Sequence, residues 1–477
     1  MIRFCIGFLL CLCFLAPQGH AQQIEDVSFH RTFTVSDLED FLMTNHPVVK
    51  QTLLLSETAK AQVLQALGKF DPALYTSFNN KHFGNTAYYN QWSSELKVPL
   101  WLAGADLKVG YDRNVGAYTN PQSRTDRAGL SALGISVPLG QGLFIDGRRN
   151  TLWQAEAMLG YAEAQQVKEI NGIWFQAVSD YWNWYYAYKQ YILLVEGVKL
   201  AETRFRAISE QTLLGDKPTI DSVEAAITVQ ERKMELAKYD IELKNARLVL
   251  SNHLWNEQQQ PLELPEDAVP DSIDRNALSP NGNLLAELLE QAETNHPEIL
   301  QLGSKELQLS IEERYRRELL KPKLNLSGTL LSSRRNFNEQ LPPDYDFNWG
   351  NYKLGVEFAF PLFLRNERGK LKEVRLKQQE LIYDQTILGR NIRNDVTLKY
   401  NDLTAYSRQI TLQIENIISQ ETLLRGELQK FDLGETTLFI INSRESKLID
   451  MQIKREGLIV NYQKALAELY YKAGTRL

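Results

Sequence analysis

The chain has 477 residues, 23% of them charged and 10% aromatic, with 53 Lys+Arg against 59 Asp+Glu and a formal net charge of -6. That length supports a large core, and the composition excludes a chain too polar to fold. The acidic balance argues against a nucleic-acid partner, whose phosphates call for a basic surface.

The chain begins with Met1, Ile2 and Arg3, an apolar run from Phe4 to Ala16, Pro17, and the small-residue site Gly19-His20-Ala21. These are the three regions of a secretory signal peptide, which assigns residues 1–21 to the leader and starts the mature chain at Gln22. All three cysteines, Cys5, Cys11 and Cys13, fall inside that leader, so the mature chain carries no thiol, disulfide or cysteine-bound metal. A lipidated N-terminus needs a small residue before its cysteine, and Leu10 and Leu12 stand there instead. The mature histidines, His30, His46, His82, His253 and His296, lack metal-ligand spacing, and no cofactor motif is present. No later stretch of ~18 apolar residues occurs, so a membrane span has to be a closed barrel, in which backbone groups in lipid find partners within the protein.

Short helices are expected over 34–68. From 72 to 138 the texture changes to alternation, aromatics and turn residues, and four strands are read at about 72–82, 91–99, 105–116 and 128–138. No proline lies between Pro138 and Pro218, or between Pro218 and Pro261. Proline breaks a helix interior at a cost of ~3 kcal/mol, so these gaps are helix territory. A helix over 149–214 would reach about 100 Å. It stops at Leu213-Leu214-Gly215-Asp216, where glycine takes the left-handed cap conformation, and residues 149–255 read as one long helical hairpin. Pro261, Pro265, Pro270 and Pro280 mark 261–283 as an irregular linker.

The second half follows the same order: short helices over 284–321, strands at about 322–334 and 351–361 around a polar loop, and a helical hairpin over 366–473 that turns at Asp432-Leu433-Gly434-Glu435. In the strands, Leu324, Leu326, Gly328 and Leu330 alternate with Asn325, Ser327 and Thr329; Leu354, Val356, Phe358 and Phe360 alternate with Lys353, Gly355 and Glu357. Tilted strands of ~9–11 residues span a bilayer. In the hairpin, Ile410, Ile414, Ile417, Glu421, Leu424, Leu428 and Phe431 step by four and three, a stripe suited to coiled packing whose Glu421 keeps the seam from being uniformly dry.

Two copies of one plan emerge, 22–260 and 284–477. Thr44-Asn45-His46-Pro47 recurs as Thr294-Asn295-His296-Pro297, Pro72 as Pro322, Pro138 as Pro361 and Gly215 as Gly434. The offset falls from 250 at the first two landmarks to 223 at the third, so the first copy holds about 27 extra residues between Pro72 and Pro138, one hairpin's worth.

This order resembles the TolC-like outer-membrane efflux proteins over essentially the whole mature chain. The shared marks are Asn-His-Pro at each second short helix, where the family has Asn-Pro, Pro72 and Pro322 before the first strands, Pro138-Leu139 and Pro361-Leu362-Phe363 after the last, and Leu214-Gly215 and Leu433-Gly434 at the tips. The resemblance implies a mainly helical fold with a membrane β-barrel portion, in which long antiparallel hairpins form an α-barrel continuous with a trimeric outer-membrane barrel. It implies a homotrimer that meets outer-membrane lipid, extends into the periplasm, and is opened at its tips by a periplasmic adaptor and an inner-membrane pump. With one extra hairpin the trimeric barrel would hold eighteen strands rather than twelve, unless that hairpin folds over the rim.

Carried onto this chain, the family's tip gate falls on Asp221, six residues after Gly215, and on Ile440 and Ser443, six and nine after Gly434. The family has carboxylates at all three places, so Ile440 and Ser443 depart from it, and the expectation is a partly apolar gate in which Ile440 or Phe431 fills space where acids would otherwise sit. Asp221 either joins a threefold ring or caps the helix that begins near Pro218. The tip turns, Leu214, Gly215 and Asp216 with Leu433, Gly434 and Glu435, are the expected adaptor contact. Trp92, Trp101, Tyr111, Tyr118, Trp349 and Tyr352 fit interfacial belts or ordinary sheet packing. The run Trp174, Phe175, Tyr181, Trp182, Trp184, Tyr185, Tyr186, Tyr188 and Tyr191 reads as packing between helices, and His46 and His296 read as helix caps.

The alternative is a non-transporting periplasmic scaffold or adhesin built as a coiled-coil rod, against which the strand-like segments stand. Catalysis is the weakest reading: Glu287 and Glu290 sit in helical charge patterns typical of solvated faces, and no nucleophile, base and orienter assemble from spacing.

Overall fold

The computed structural model describes residues 32–273, 278–333 and 349–476. The leader and most of the 335–350 loop lie outside these residues. A two-residue strand β1 (Thr32–Phe33) leads into α1 (Val35–Asn45) and α2 (Pro47–Leu67), then strands β2 (Ala73–Phe83), β3 (Thr86–Pro99), β4 (Asp106–Val115) and β5 (Leu130–Pro138). The hairpin α3 (Gly147–Leu213) and α4 (Thr219–Ser251) follows, then a short strand β6 (Val269–Pro270). The second half holds α5 (Leu284–Asn295), α6 (Pro297–Glu318), β7 (Lys323–Ser333), β8 (Tyr352–Ala359), α7 (Arg365–Asp432) and α8 (Leu438–Lys472). At 67 and 68 residues, α3 and α7 each run about 100 Å.

The strands form one antiparallel sheet in the order β2-β3-β4-β5-β7-β8. The extra hairpin of the first half is therefore part of the sheet and does not fold over its rim. β3 begins at Thr86, five residues before the expected 91, because Gly84 and Asn85 both take positive φ and close a two-residue hairpin in place of the anticipated loop. The halves join through β5 and β7, and beyond that pairing Leu139 donates its N–H to Leu324 and Gln141 donates to Pro322. Gly140 sits between them so tightly that a Cβ there would lie 2.1 Å from the Pro322 carbonyl oxygen. The linker is less irregular than its prolines suggest, since Thr32 and Phe33 pair in parallel with Val269 and Pro270.

Where sheet meets helices, Asp146 caps α3 by accepting from the Arg149 N–H at 2.9 Å. Its carboxyl also holds Arg148, whose guanidinium reaches Asp106 at 2.7 Å and the Gly104 carbonyl at 2.9 Å. Burial pushes the Asp146 carboxyl up, but these hydrogen bonds and both arginines outweigh it and hold the group below the usual carboxylate range.

Midway along the hairpins, Trp174, Tyr181, Trp182, Trp184 and Tyr185 are buried against α1 and the end of α4, the interhelical packing expected of the aromatic run. Tyr181 donates its hydroxyl to the Phe33 carbonyl at 2.9 Å, tying β1 to α3. His46 and His296 cap α2 and α6: each ring Nδ1 accepts from the N–H two residues on, both at 3.2 Å. Burial, and for His46 the neighbouring His253 ring, lowers their pKa below 6.5. In the second hairpin Ile410 and Ile417 are buried as the stripe requires. The wet members of that seam are Gln413 and Gln420, which donate to the Met451 and Arg444 carbonyls of α8, rather than Glu421 alone.

Candidate functional site

Three features of this fold bear on function: the two faces of the sheet, the flank of α4, and the hairpin tips. Side chains alternate across a strand, so register fixes which residues share a face. One face carries Leu74, Phe78, Trp92, Leu96, Val109, Leu133, Ile135, Leu326, Leu354, Val356 and Phe358, all exposed. The other carries Ser77, Asn79, Gln91, Ser93, Glu95, Lys108, Asp112, Ser136, Ser327, Thr329 and Lys353, and the sheet curls around it into a hollow lined by all six strands. Apolar side chains on one face and polar ones on the other are the alternation that a barrel wall between lipid and water requires. Among the described residues, β2 and β8 each pair on one side alone, so the sheet is open at both edges.

The aromatics expected at belts divide. Trp101 stands 53% exposed at the helix-proximal end, 5.1 Å from Phe70. Tyr118 lies beyond β4 at the other end, 4.6 Å from Tyr88. Trp92 and Tyr111 lie within strands on the apolar face, 5.9 Å apart edge to face. Trp349 precedes β8 and Tyr352 opens it, both exposed.

Along α4, Ile220, Ile227, Met234, Ile241 and Leu248 recur every seven residues and are all at least half exposed. One apolar position repeated every seven residues makes a narrow apolar stripe along the helix. Neither α3 nor α8 covers it.

At the tips the two halves build the same turn. Leu214, Gly215 and Asp216 donate N–H groups to the Glu210, Thr212 and Gln211 carbonyls; Leu433, Gly434 and Glu435 donate to Gln429, Phe431 and Lys430. This is the paired cap in which a left-handed residue lets two amides reach back into the last helical turn. Gly215 at φ +84° and Gly434 at φ +76° supply it, with open space where a Cβ would stand. Leu213, Leu214 and Leu433 are all about three quarters or more exposed around the turns.

The proposed gate residues are close in sequence to these turns but unlike in environment. Asp221 is half-buried in the first turn of α4, and no side chain caps that helix, so the capping role is not filled. Ile440 and Ser443 are exposed on the first turns of α8. Phe431 packs with Phe205 beside the buried Ile208, Ala225 and Leu438, and the Lys217 ammonium sits 4.2 Å from its ring centre. It thus belongs to the core joining the two tips.

Sequence reading missed the polar ties above that core. Arg204 of α3 grips Glu445 of α8 with both guanidinium arms. Asn442 donates to Glu224 of α4 at 3.4 Å, and Arg232 of α4 donates to Ser446 of α8 at 2.7 Å. The partners are more than 200 residues apart, so no local spacing announces them. A buried charge on a helix was the available signal: Arg232, Glu445 and Glu456 are each less than a tenth exposed.

The fold is that of the TolC-like outer-membrane channels. Among solved structures, the chain is similar to the MtrE outer-membrane channel of Neisseria gonorrhoeae, captured in an open state, at 14% identity and a TM-score of 0.65, over 92% of this chain and 89% of that one. It is similar to the outer-membrane protein VceC of Vibrio cholerae at 13% identity and a TM-score of 0.62, covering 93% and 96%. The CmeC outer-membrane channel of Campylobacter jejuni matches at 14% identity and a TM-score of 0.58, covering 92% and 85%. No protein-family model matches the sequence, and no curated protein does.

Proposed function

We propose that three copies of this chain close an outer-membrane channel, the passive exit duct of a tripartite efflux or type I secretion system. The observation that carries this reading is the six-stranded sheet with an apolar face, a polar hollow and two bare edges. An isolated copy leaves β2 and β8 unpaired, and lipid offers their backbone groups no partner. Joined edge to edge, three copies make an eighteen-stranded barrel whose polar face lines water. The exposed seam on α4 gives the hairpins a matching contact, so that they continue the duct into the periplasm as an α-barrel. The halves 22–260 and 284–477 act as two repeats of one element, which is why the tips carry the same turn twice.

The tips are the gate. Asp221, Ile440 and Ser443 come nearest the axis there, and Phe431 fixes the spacing of the two turns from behind. The exposed turns, Leu214-Gly215-Asp216 and Leu433-Gly434-Glu435, dock a periplasmic adaptor, which with an inner-membrane pump supplies the work of opening. The likeness to outer-membrane channels, one of them open, supports both location and role. No step of catalysis is assigned. Extraction from outer membranes should yield a trimer that migrates compactly until heated and makes liposomes leaky to ions. A detergent-stable monomer that leaves liposomes tight, with adaptor and pump present, would overturn the proposal.

A further inference from the structure

We propose that the β4–β5 loop, residues 116–129, folds into the lumen of the barrel at its helix-distal mouth and makes a basic constriction there, with Arg124 setting a preference for anionic solutes. The inference rests on the duct reading above and names the chemistry of what passes.

Parity places the loop. Asn114 alternates with Asp112 and Lys108 on the polar face of β4. It is nevertheless only 8% exposed, with Ser123 bonded to its side chain and Thr125 to its backbone. Its amide donates to both the Ser123 carbonyl and the Ser123 hydroxyl at 3.1 Å. Its own N–H donates to the Thr125 hydroxyl at 2.8 Å, and the Thr125 N–H returns a bond to the Asn114 carbonyl at 3.0 Å. Gln122, Ser123, Arg124 and Thr125 consequently share the polar hollow with wall residues of every strand.

The fold-in is built by the backbone. Gly116 takes φ +149° with the Tyr88 carbonyl oxygen 2.4 Å from where a Cβ would sit; Gly129 takes φ +78° with the Tyr111 ring at 2.5 Å. Only glycine tolerates both the angle and the approach, so each end of the loop is a hinge of set direction. Between them Asn120 forms a tight turn, accepting from Gln122 through its side chain and from Ser123 through its carbonyl.

The charges select Arg124. Lys97 pairs with Asp106 and Lys108 with Glu95. Asp112, whose carboxylate accepts from Ser93 at 2.6 Å, and Arg113, held by Asn90 and the Arg127 carbonyl, both border the hollow and offset one another in net charge. Lys353 and Glu357 on β8 offset one another in net charge, as do the exposed Asp126 and Arg127 within the loop itself. Arg124, exposed in the hollow, has no ion pair or hydrogen bond among the described residues. Three guanidiniums around a narrowed aqueous path raise the local concentration of anions and oppose cations.

The test is the reversal potential of the full-length protein in planar bilayers under a potassium chloride gradient, for the wild type, Arg124→Ala and Arg124→Glu. Both substitutions are at an exposed side chain and leave the sheet intact. The expected result is a chloride bias in the wild type that weakens in Arg124→Ala and reverses in Arg124→Glu. Asn114→Ala with Ser123→Ala, which frees the loop, should raise the conductance. Channels that conduct with one unchanged ion selectivity in all three Arg124 proteins would overturn the loop's role and leave the duct standing. A wild type that never conducts would remove the duct and the constriction together.

Discussion

Arg204 and Glu445, on helices from opposite halves of the chain, meet as a two-armed ion pair with side chains only 15% and 9% exposed, close above the tips. The pair fastens α3 to α8 where the hairpins would have to separate for the tips to widen. Removing one partner strands a buried charge, which costs about 3 kcal/mol or more. Arg204→Ala is therefore expected to lower thermal stability and raise single-channel conductance, and the double variant with Glu445→Ala should lose less than the two single variants combined. Strict additivity in a double-mutant cycle would show that the two side chains do not act together.

Asp221→Ala and Ile440→Ala test the gate itself. If the constriction lies at these positions, each substitution should raise conductance, and Asp221→Ala should also weaken block by divalent cations. Recordings in which both variants match the wild type would take these residues out of the constriction.

Gly215 and Gly434 can be separated into a folding role and a docking role. Any other residue in the left-handed conformation costs roughly 1–2 kcal/mol, but open space surrounds both sites, so bulky side chains add no clash. Gly215→Leu with Gly434→Leu should leave trimers assembled on heat-modifiability gels while abolishing efflux in cells. Wild-type efflux from that double variant would contradict adaptor docking at the turns.

The histidine caps give the helices an acid limit. His46 and His296 have folded pKa values pushed below 6.5 by burial, so the unfolded chain takes up protons that the folded chain refuses. Their contribution is fully present above about pH 6.5 and is lost as pH falls from there through the depressed folded values. Each cap contributes ~1 kcal/mol. His46→Asn with His296→Asn keeps an acceptor at each helix start, and its melting temperature should fall less than the wild type's between about pH 7.5 and about pH 5. Equal declines would place the acid sensitivity elsewhere.

Much of this fold was legible because its signals are local. The proline gaps on either side of Pro218 coincide with α3 and α4, and the proline-free stretch after Pro361 with α7 and α8, since a helix interior excludes proline throughout. Alternation in 322–361 gave the correct face to Leu326 and Val356, because strand parity needs no tertiary information. Gly84 and Asn85, both residue types that favour positive φ, are the local signal for the turn that starts β3 five residues ahead of the expected 91. Arg204 with Glu445, and Asn114 with Ser123, were beyond reach: the first pair is set by how two hairpins pack, the second by a loop doubling back across a rim. The seven-residue series on α4 was open to reading, but only exposure in the folded chain separates an uncovered seam from an internal one.

The unpaired margins of β2 and β8 bear on how the protein is made as well as on what it does. A lone subunit entering the hydrocarbon would carry two rows of unsatisfied amides and carbonyls, each costing several kcal/mol. In the proposed trimer, insertion and assembly would be a single concerted event, with those margins shielded until two siblings arrive. A cell starved of such shielding should accumulate aggregates rather than half-built pores.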